Sequence, residues 1–257
     1  MSIEVERFQK SYDNLVAVDD LTFRVEPGEI LGLVGPNGAG KTTTLRSIAG
    51  ILRPSRGRIL IDGHDVVLDA IEAKRALAYV PDEPGLFEGL SVWEHLRFIA
   101  SAYRVDNWQS KGERLLAEFE LVEKRDALVS ELSRGMRQKT AIACGFLHDP
   151  RAILLDEPLT GLDPRGIRTM QSAIRERALA GAAVVVSSHL LSLVEDLCTS
   201  LLVLQRGRMR LREQIAVLRS QMRAAGRAET LEDLFFELTE GSPDDPAATT
   251  ANNPIVA

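Results

Sequence analysis

The chain has 257 residues, 45% of them hydrophobic, enough to bury a sizeable core in one large domain or two small ones. A formal net charge of -6 and a pI of about 5.4 have the wrong sign for a protein whose main affinity comes from neutralising nucleic-acid phosphates, so no nucleic-acid partner is expected. The charged start MSIEVERFQK and the lack of any apolar run near ~18 residues argue against a signal peptide or a membrane span, and predict a cytosolic chain.

In chain order, Leu21, Phe23 and Val25 alternate with Thr22, Arg24 and Glu26 before a Pro27-Gly28 turn, which predicts strands of a half-buried antiparallel sheet. ILIDGHDV, residues 59–66, repeats the alternation with Asp62-Gly63 placed for a tight hairpin. The continuous apolar runs ILGLV (30–34), AILLD (152–156), AAVVVSS (182–188) and LLVL (201–204) suit parallel strands covered on both faces. Helical periods at 167–180 and 190–198 lie between them, so the core reads as α/β. Residues 88–147 are helical in pattern without a convincing strand and read as a helical insert. Helix resumes after Ile215 and ends in LEDLFFELTEG, whose Leu231, Leu234, Phe235 and Leu238 form an amphipathic stripe; SPDDPAATTANNPIVA behind it has the composition of a disordered tail. Cys144 and Cys198 lack ligand spacing and are expected as buried, reduced thiols.

GPNGAGKT, Gly35 to Thr42, matches GxxxxGK[ST] between the buried strand ILGLV and a helix-forming run, the context that a phosphate-binding loop requires. Gly35, Gly38 and Gly40 let successive amides turn toward phosphate oxygens, and the helix starting near Lys41 adds its positive end. Lys41 is placed to reach the terminal phosphates, and the Thr42 hydroxyl to ligate Mg²⁺. The strand AILLD then delivers Asp156 and Glu157 to the carboxyl edge of the sheet, Asp156 to hold Mg²⁺ through water and Glu157 to orient or deprotonate an attacking water. SSHL closes another buried strand and puts His189 at the same edge. ELSRGMRQK, residues 131–139, offers no nucleophile, base or metal ligand. By itself it allows a Ser133 helix cap, or a solvated or nucleic-acid-binding face made by Arg134, Arg137 and Lys139.

These elements, in this order, resemble the nucleotide-binding subunit of ABC (ATP-binding cassette) transporters over nearly all of residues 2–241. LSRGM at 132–136 stands where that family has its signature, TGLDP at 160–164 is similar to the loop after its catalytic Glu, and Tyr12 stands where an aromatic ring stacks on adenine. The resemblance implies a P-loop NTPase core with a mostly parallel sheet, an N-terminal antiparallel β subdomain and a helical insert. It implies ATP and Mg²⁺, with nucleotide contacts from Tyr12, Gly35, Pro36, Asn37, Gly38, Ala39, Gly40, Lys41, Thr42, Thr43 and Asp82, catalysis by Glu157, His189 and Lys41, and metal ligation by Thr42, Asp82 and Asp156. It further implies composite sites, in which Ser133 and Gly135 close on the nucleotide of a second subunit, a copy or a paralogue, and Asp163 connects the two sites.

Two departures stand out: Asp82 replaces the family's usual Gln, and Arg134 and Met136 replace a Gly and the Gln of its usual signature. Asp82 adds charge near Asp156 and Glu157, while the retained Ser133 and Gly135 carry the expected phosphate contacts. By the same resemblance, residues 1–218 form the ATP-binding domain with a helical subdomain at about 86–147, 219–241 form a helical extension, and 242–257 a disordered tail. A separate multispan membrane permease is the implied partner, met by a groove near Phe87, Leu90, Trp93 and Leu96, with the chain peripheral on the inner face of the cell membrane. LSRGM, Asp82 and the helical C-terminus resemble export-type subunits; a non-transport ABC ATPase acting on a membrane, DNA or ribosomal partner is the alternative.

Overall fold

The computed structural model describes residues 3–189 and 191–224, together with Glu232, Asp233 and Phe235. β1 (Ile3–Tyr12) and β2 (Leu15–Val25) form a long antiparallel ribbon and are followed by β3 (Ile30–Val34), α1 (Lys41–Ile48), β4 (Arg56–Ile61), β5 (His64–Asp65), α2 (Ala70–Arg75) and β6 (Leu77–Val80). The insert contributes α3 (Val92–Tyr103), α4 (Trp108–Glu118) and α5 (Arg134–Phe146). The chain then runs through β7 (Ala152–Asp156), α6 (Pro164–Leu179), β8 (Ala183–Ser187), α7 (Leu191–Leu197), β9 (Ser200–Gln205), β10 (Arg208–Gln214) and α8 (Ile215–Ala224).

Among the described residues two sheets form, a four-stranded antiparallel one ordered β2-β1-β4-β5 and a six-stranded one ordered β10-β9-β3-β8-β7-β6. β9, β3, β8, β7 and β6 pair in parallel, and β10 adds to the edge antiparallel. Every residue of β3, β7, β8 and β9 is buried, as strands covered on both faces require. The Asp62-Gly63 hairpin forms as expected: Ile61 faces His64 across the turn and both turn residues have positive φ, the conformation that lets a two-residue turn follow the strand twist.

Two strands escape the apolar-run reading. β6 offers only LAYV between Arg75 and Pro81, too short to stand out, and becomes a strand because β7 provides its ladder from Ala152 to Leu155. β10 carries Arg208, Arg210 and Arg212 on an exposed edge, so its sequence shows charge where strands usually show apolar alternation. The insert is helical as expected, with one isolated bridge joining Ser91 and Leu128.

Two apolar clusters hold the layers. One lies between the antiparallel sheet, α1 and one face of the large sheet; the other joins the opposite face to α5, α6, α7 and the insert. His95 is buried within the insert: its Nε2 accepts from the Phe87 amide at 2.9 Å and its Nδ1 donates to the Ser91 carbonyl at 2.9 Å, so it pins the loop leading to α3. Of the four residues expected to line an apolar groove, Leu96 is core and Phe87 is exposed, while Trp93 packs on Trp108 with the Arg125 guanidinium 3.8 Å above its ring. Among the described residues no helix is long and apolar enough to cross a membrane. Of the C-terminal stripe only Phe235 is described, packed against the larger cluster; the expected tail at 242–257 lies outside the described residues.

Both cysteines are buried free thiols, and burial pushes each up to about 12. On the order of one thiol in 10⁴ is then thiolate at pH 8. The folded chain is therefore expected to consume no Ellman reagent on the timescale at which the denatured chain titrates both; prompt reaction of the folded chain would contradict this burial.

Candidate functional site

The carboxyl ends of β3, β7 and β8 meet at one edge of the large sheet, where ligands of open α/β sheets bind. The loop after β3 ends in Gly40, which has φ +104 and is the N-cap of α1. A Cβ there would stand 2.8 Å from the Ala17 carbonyl, so only glycine lets the loop turn into the helix against the antiparallel sheet. A cavity of about 550 Å³ opens above this loop. Its walls include Asn37, Gly38, Ala39, Gly40, Lys41, Thr42 and Thr43, with Tyr12, Asp82, Asp156, Glu157 and His189 around them.

The Lys41 ammonium donates to the carbonyls of Gly35 (2.6 Å) and Pro36 (3.3 Å), so the loop folds around the cation that points into it. Burial lowers its pKa, opposed by the nearby charges of Glu157 and Asp156. A buried cation at the start of a helix suits a polyphosphate anion.

Asp156 is buried at the end of β7 and accepts a short hydrogen bond from the Ser187 hydroxyl. The amide of Glu157 donates in turn to Ser187 Oγ (3.1 Å) and to the Ser187 carbonyl (3.2 Å). Ser187 thus sets both acids from the neighbouring strand. Glu157 itself has φ +49, a left-handed conformation that costs a non-glycine residue roughly 1 kcal/mol and that these bonds maintain. Its Oε2 lies 2.9 Å from Nδ1 of His189, and the His189 ring is largely exposed on the cavity wall. The arrangement joins a carboxylate held in a set orientation to an imidazole that can brace it.

Tyr12 is 41% exposed at the cavity rim, with Leu15 beside it in the wall and the Lys10 ammonium 5.0 Å from its ring centroid. Thr42, Asp82 and Asp156 supply hard oxygen donors to one cavity, a set that suits Mg²⁺ bound with phosphate and water. Among the described residues no group of three or more His, Cys, Asp or Glu converges as a metal cage.

Gly35 and Pro36, the first two residues of the loop, do not line this cavity; both meet Lys41 through their carbonyls. Ser133, Gly135 and Asp163 do not line the cavity of their own chain. Ser133 is the N-cap of α5, accepting from the Met136 amide at 3.3 Å, and Asp163 is the N-cap of α6, accepting from the Gly166 amide at 2.7 Å. Gly135 packs on the loop after Glu157, where an added Cβ would stand 3.2 Å from the Gly161 carbonyl. The sequence reading missed Ser187, Thr160 and Leu15. The polar pair that ends AAVVVSS was the available signal for Ser187, since a fully buried strand seldom closes on a hydroxyl without a partner.

The ABC transporter family model matches residues 18–160. The ABC-type transporter ATP-binding protein EcsA of Bacillus subtilis is 34% identical over 240 residues, covering 93% of this chain and 96% of that protein. The Nod factor export ATP-binding protein I of Burkholderia pseudomallei is 36% identical over 208 residues, 80% of this chain and 68% of the relative. A solved structure of an ATP-binding subunit of an ABC transporter superposes with a TM-score of 0.87 at 34% identity, covering 93% of this chain and 99% of that one.

Proposed function

The chain belongs to the ABC transporter family as an ATP-binding subunit whose ATPase activity is coupled to transport, and we propose that it dimerises around ATP to drive a separate membrane permease in the direction of export. The observation that carries the site assignment is the single cavity holding the Lys41 loop and the network from Asp156 through Ser187 and Glu157 to His189. Lys41 and the loop amides neutralise the phosphates, and Tyr12 receives the adenine. Glu157 orients the attacking water and accepts its proton, while His189 braces the Glu157 carboxylate. Thr42, Asp156 and Asp82 would hold Mg²⁺, which supplies charge neutralisation on the phosphates when bound.

The nucleotide in this reading is closed by Ser133 and Gly135 of a second subunit, with the start of α5 behind them. The ATP charge is fully neutralised only when both subunits meet, so loss of the terminal phosphate favours the open dimer. Export draws support from the similarity to the Nod factor export subunit. The helical subdomain at 86–147 is the part assigned to the permease, with exposed Phe87 on its surface. The remainder of 1–218 is the nucleotide-binding part and 219–241 its extension, and the chain sits on the cytoplasmic face of the membrane through the permease. Affinity isolation from detergent-solubilised membranes is expected to recover a multispan membrane protein at stoichiometric yield. Recovery of ribosomes or DNA in its place would overturn the permease assignment.

A further inference from the structure

Arg134, the first residue of α5, reaches out of the signature segment to Asp82 on the wall of its own nucleotide cavity, with Nη2 to Oδ1 at 3.2 Å. The stem of the same side chain crosses the loop after Glu157: a Cβ on Gly161 would lie 3.2 Å from Arg134 Cδ and 3.4 Å from Nε. One residue therefore touches the cavity wall and the loop that follows the catalytic acid, and it stands next to Ser133, the cap of α5. Asp82 and Arg134, 52 residues apart in the chain, are thus partners in space.

The cavity collects three carboxylates, Asp82, Asp156 and Glu157, against the single ammonium of Lys41. Asp156 is occupied by Ser187 and Glu157 by His189, whereas Asp82 is half exposed and holds only a surface guanidinium among the described residues. Such an exposed pair is weak, worth up to about fivefold in an equilibrium constant, which suits an exchangeable contact better than a structural one. A divalent cation bound beside the phosphates competes for the same carboxylate with twice the charge.

We infer that Arg134 is the exchangeable counter-cation of Asp82. It holds that carboxylate, and with it the start of α5, until a divalent cation arriving with nucleotide takes Asp82 over and releases Arg134. Cation occupancy of a subunit's own cavity is thereby transmitted to the segment that presents Ser133. Arg134 is a positioning residue in this scheme. The inference rests on the reading of the cavity as the nucleotide site, but its test does not require a dimer.

The test measures binding of a fluorescent, non-hydrolysable ATP analogue to the dilute full-length chain across a Mg²⁺ titration, and reads the Mg²⁺ concentration at half-saturation. Arg134→Gly is expected to lower that midpoint by up to about fivefold, and Arg134→Lys, which keeps the charge, to leave it near that of the unmodified chain. With Asp82→Gln already present, Arg134→Gly is expected to shift nothing further. A direct effect of the guanidinium on the phosphates would persist in the Asp82→Gln chain, so equal shifts in both backgrounds overturn the proposal, as does an unshifted midpoint in Arg134→Gly. Absence of any Mg²⁺-dependent signal in the unmodified chain overturns the nucleotide site itself, and the proposal with it.

Discussion

Replacing Glu157 by Gln is expected to lower ATP turnover by roughly 10²-fold or more, the range of general-base effects, while leaving nucleotide binding intact. The amide fills the same volume and retains an oxygen that can accept from His189, so the geometry around Ser187 and Asp156 is preserved. It cannot take a proton from water. On the proposed dimer cycle, nucleotide-bearing dimers should then accumulate, because hydrolysis, the event proposed to separate the subunits, is removed. Steady-state phosphate release and size-exclusion chromatography in ATP check both halves of this expectation. Unchanged turnover would remove Glu157 from its role and point to another group at the cavity wall.

Ser133→Arg is expected to abolish hydrolysis without weakening the binding of ATP by a lone subunit. Ser133 is exposed and lies outside the cavity of its own chain, and loss of its cap on α5 costs only about 1 kcal/mol. In the proposed two-subunit site a bulky cation at that point obstructs the second subunit's nucleotide and leaves the subunit's own loop untouched. Mixing separates this from a local folding defect. Ser133→Arg subunits combined with Lys41→Ala subunits place one intact phosphate loop opposite one intact signature, so hydrolysis is expected to return in the mixture although each variant alone is inactive. If the Ser133→Arg chain instead loses nucleotide as a monomer, or the mixture stays inactive, the two-subunit site is wrong.

Much of this site was legible because its chemistry is local in the chain. GPNGAGKT combines a turn, a cation and a helix start within eight residues, and AILLD fixes Asp156 and Glu157 at a strand end by the length of one apolar run. What escaped depends on neighbours distant in sequence. Ser187 acts on Asp156 only because β8 pairs with β7 in the register that sets those two residues side by side. β6 becomes a strand only because β7 offers it a ladder. Leu96 fits an exposed groove by hydropathy, yet the packing of α3 on the insert's core buries it.

The sequence by itself determined the α/β class, the phosphate loop and the carboxylates at the strand ends, because periodicity, glycine spacing and strand termini act over a few residues of contiguous chain. Only the tertiary structure decided which side chains share a cavity. It brought Tyr12 from the antiparallel sheet to the rim above Lys41, left Ser133 and Asp163 as helix caps outside that cavity, and joined Asp82 to Arg134 across 52 residues. Such pairings are set by sheet order and helix packing, which close contacts between segments whose local preferences carry no information about one another.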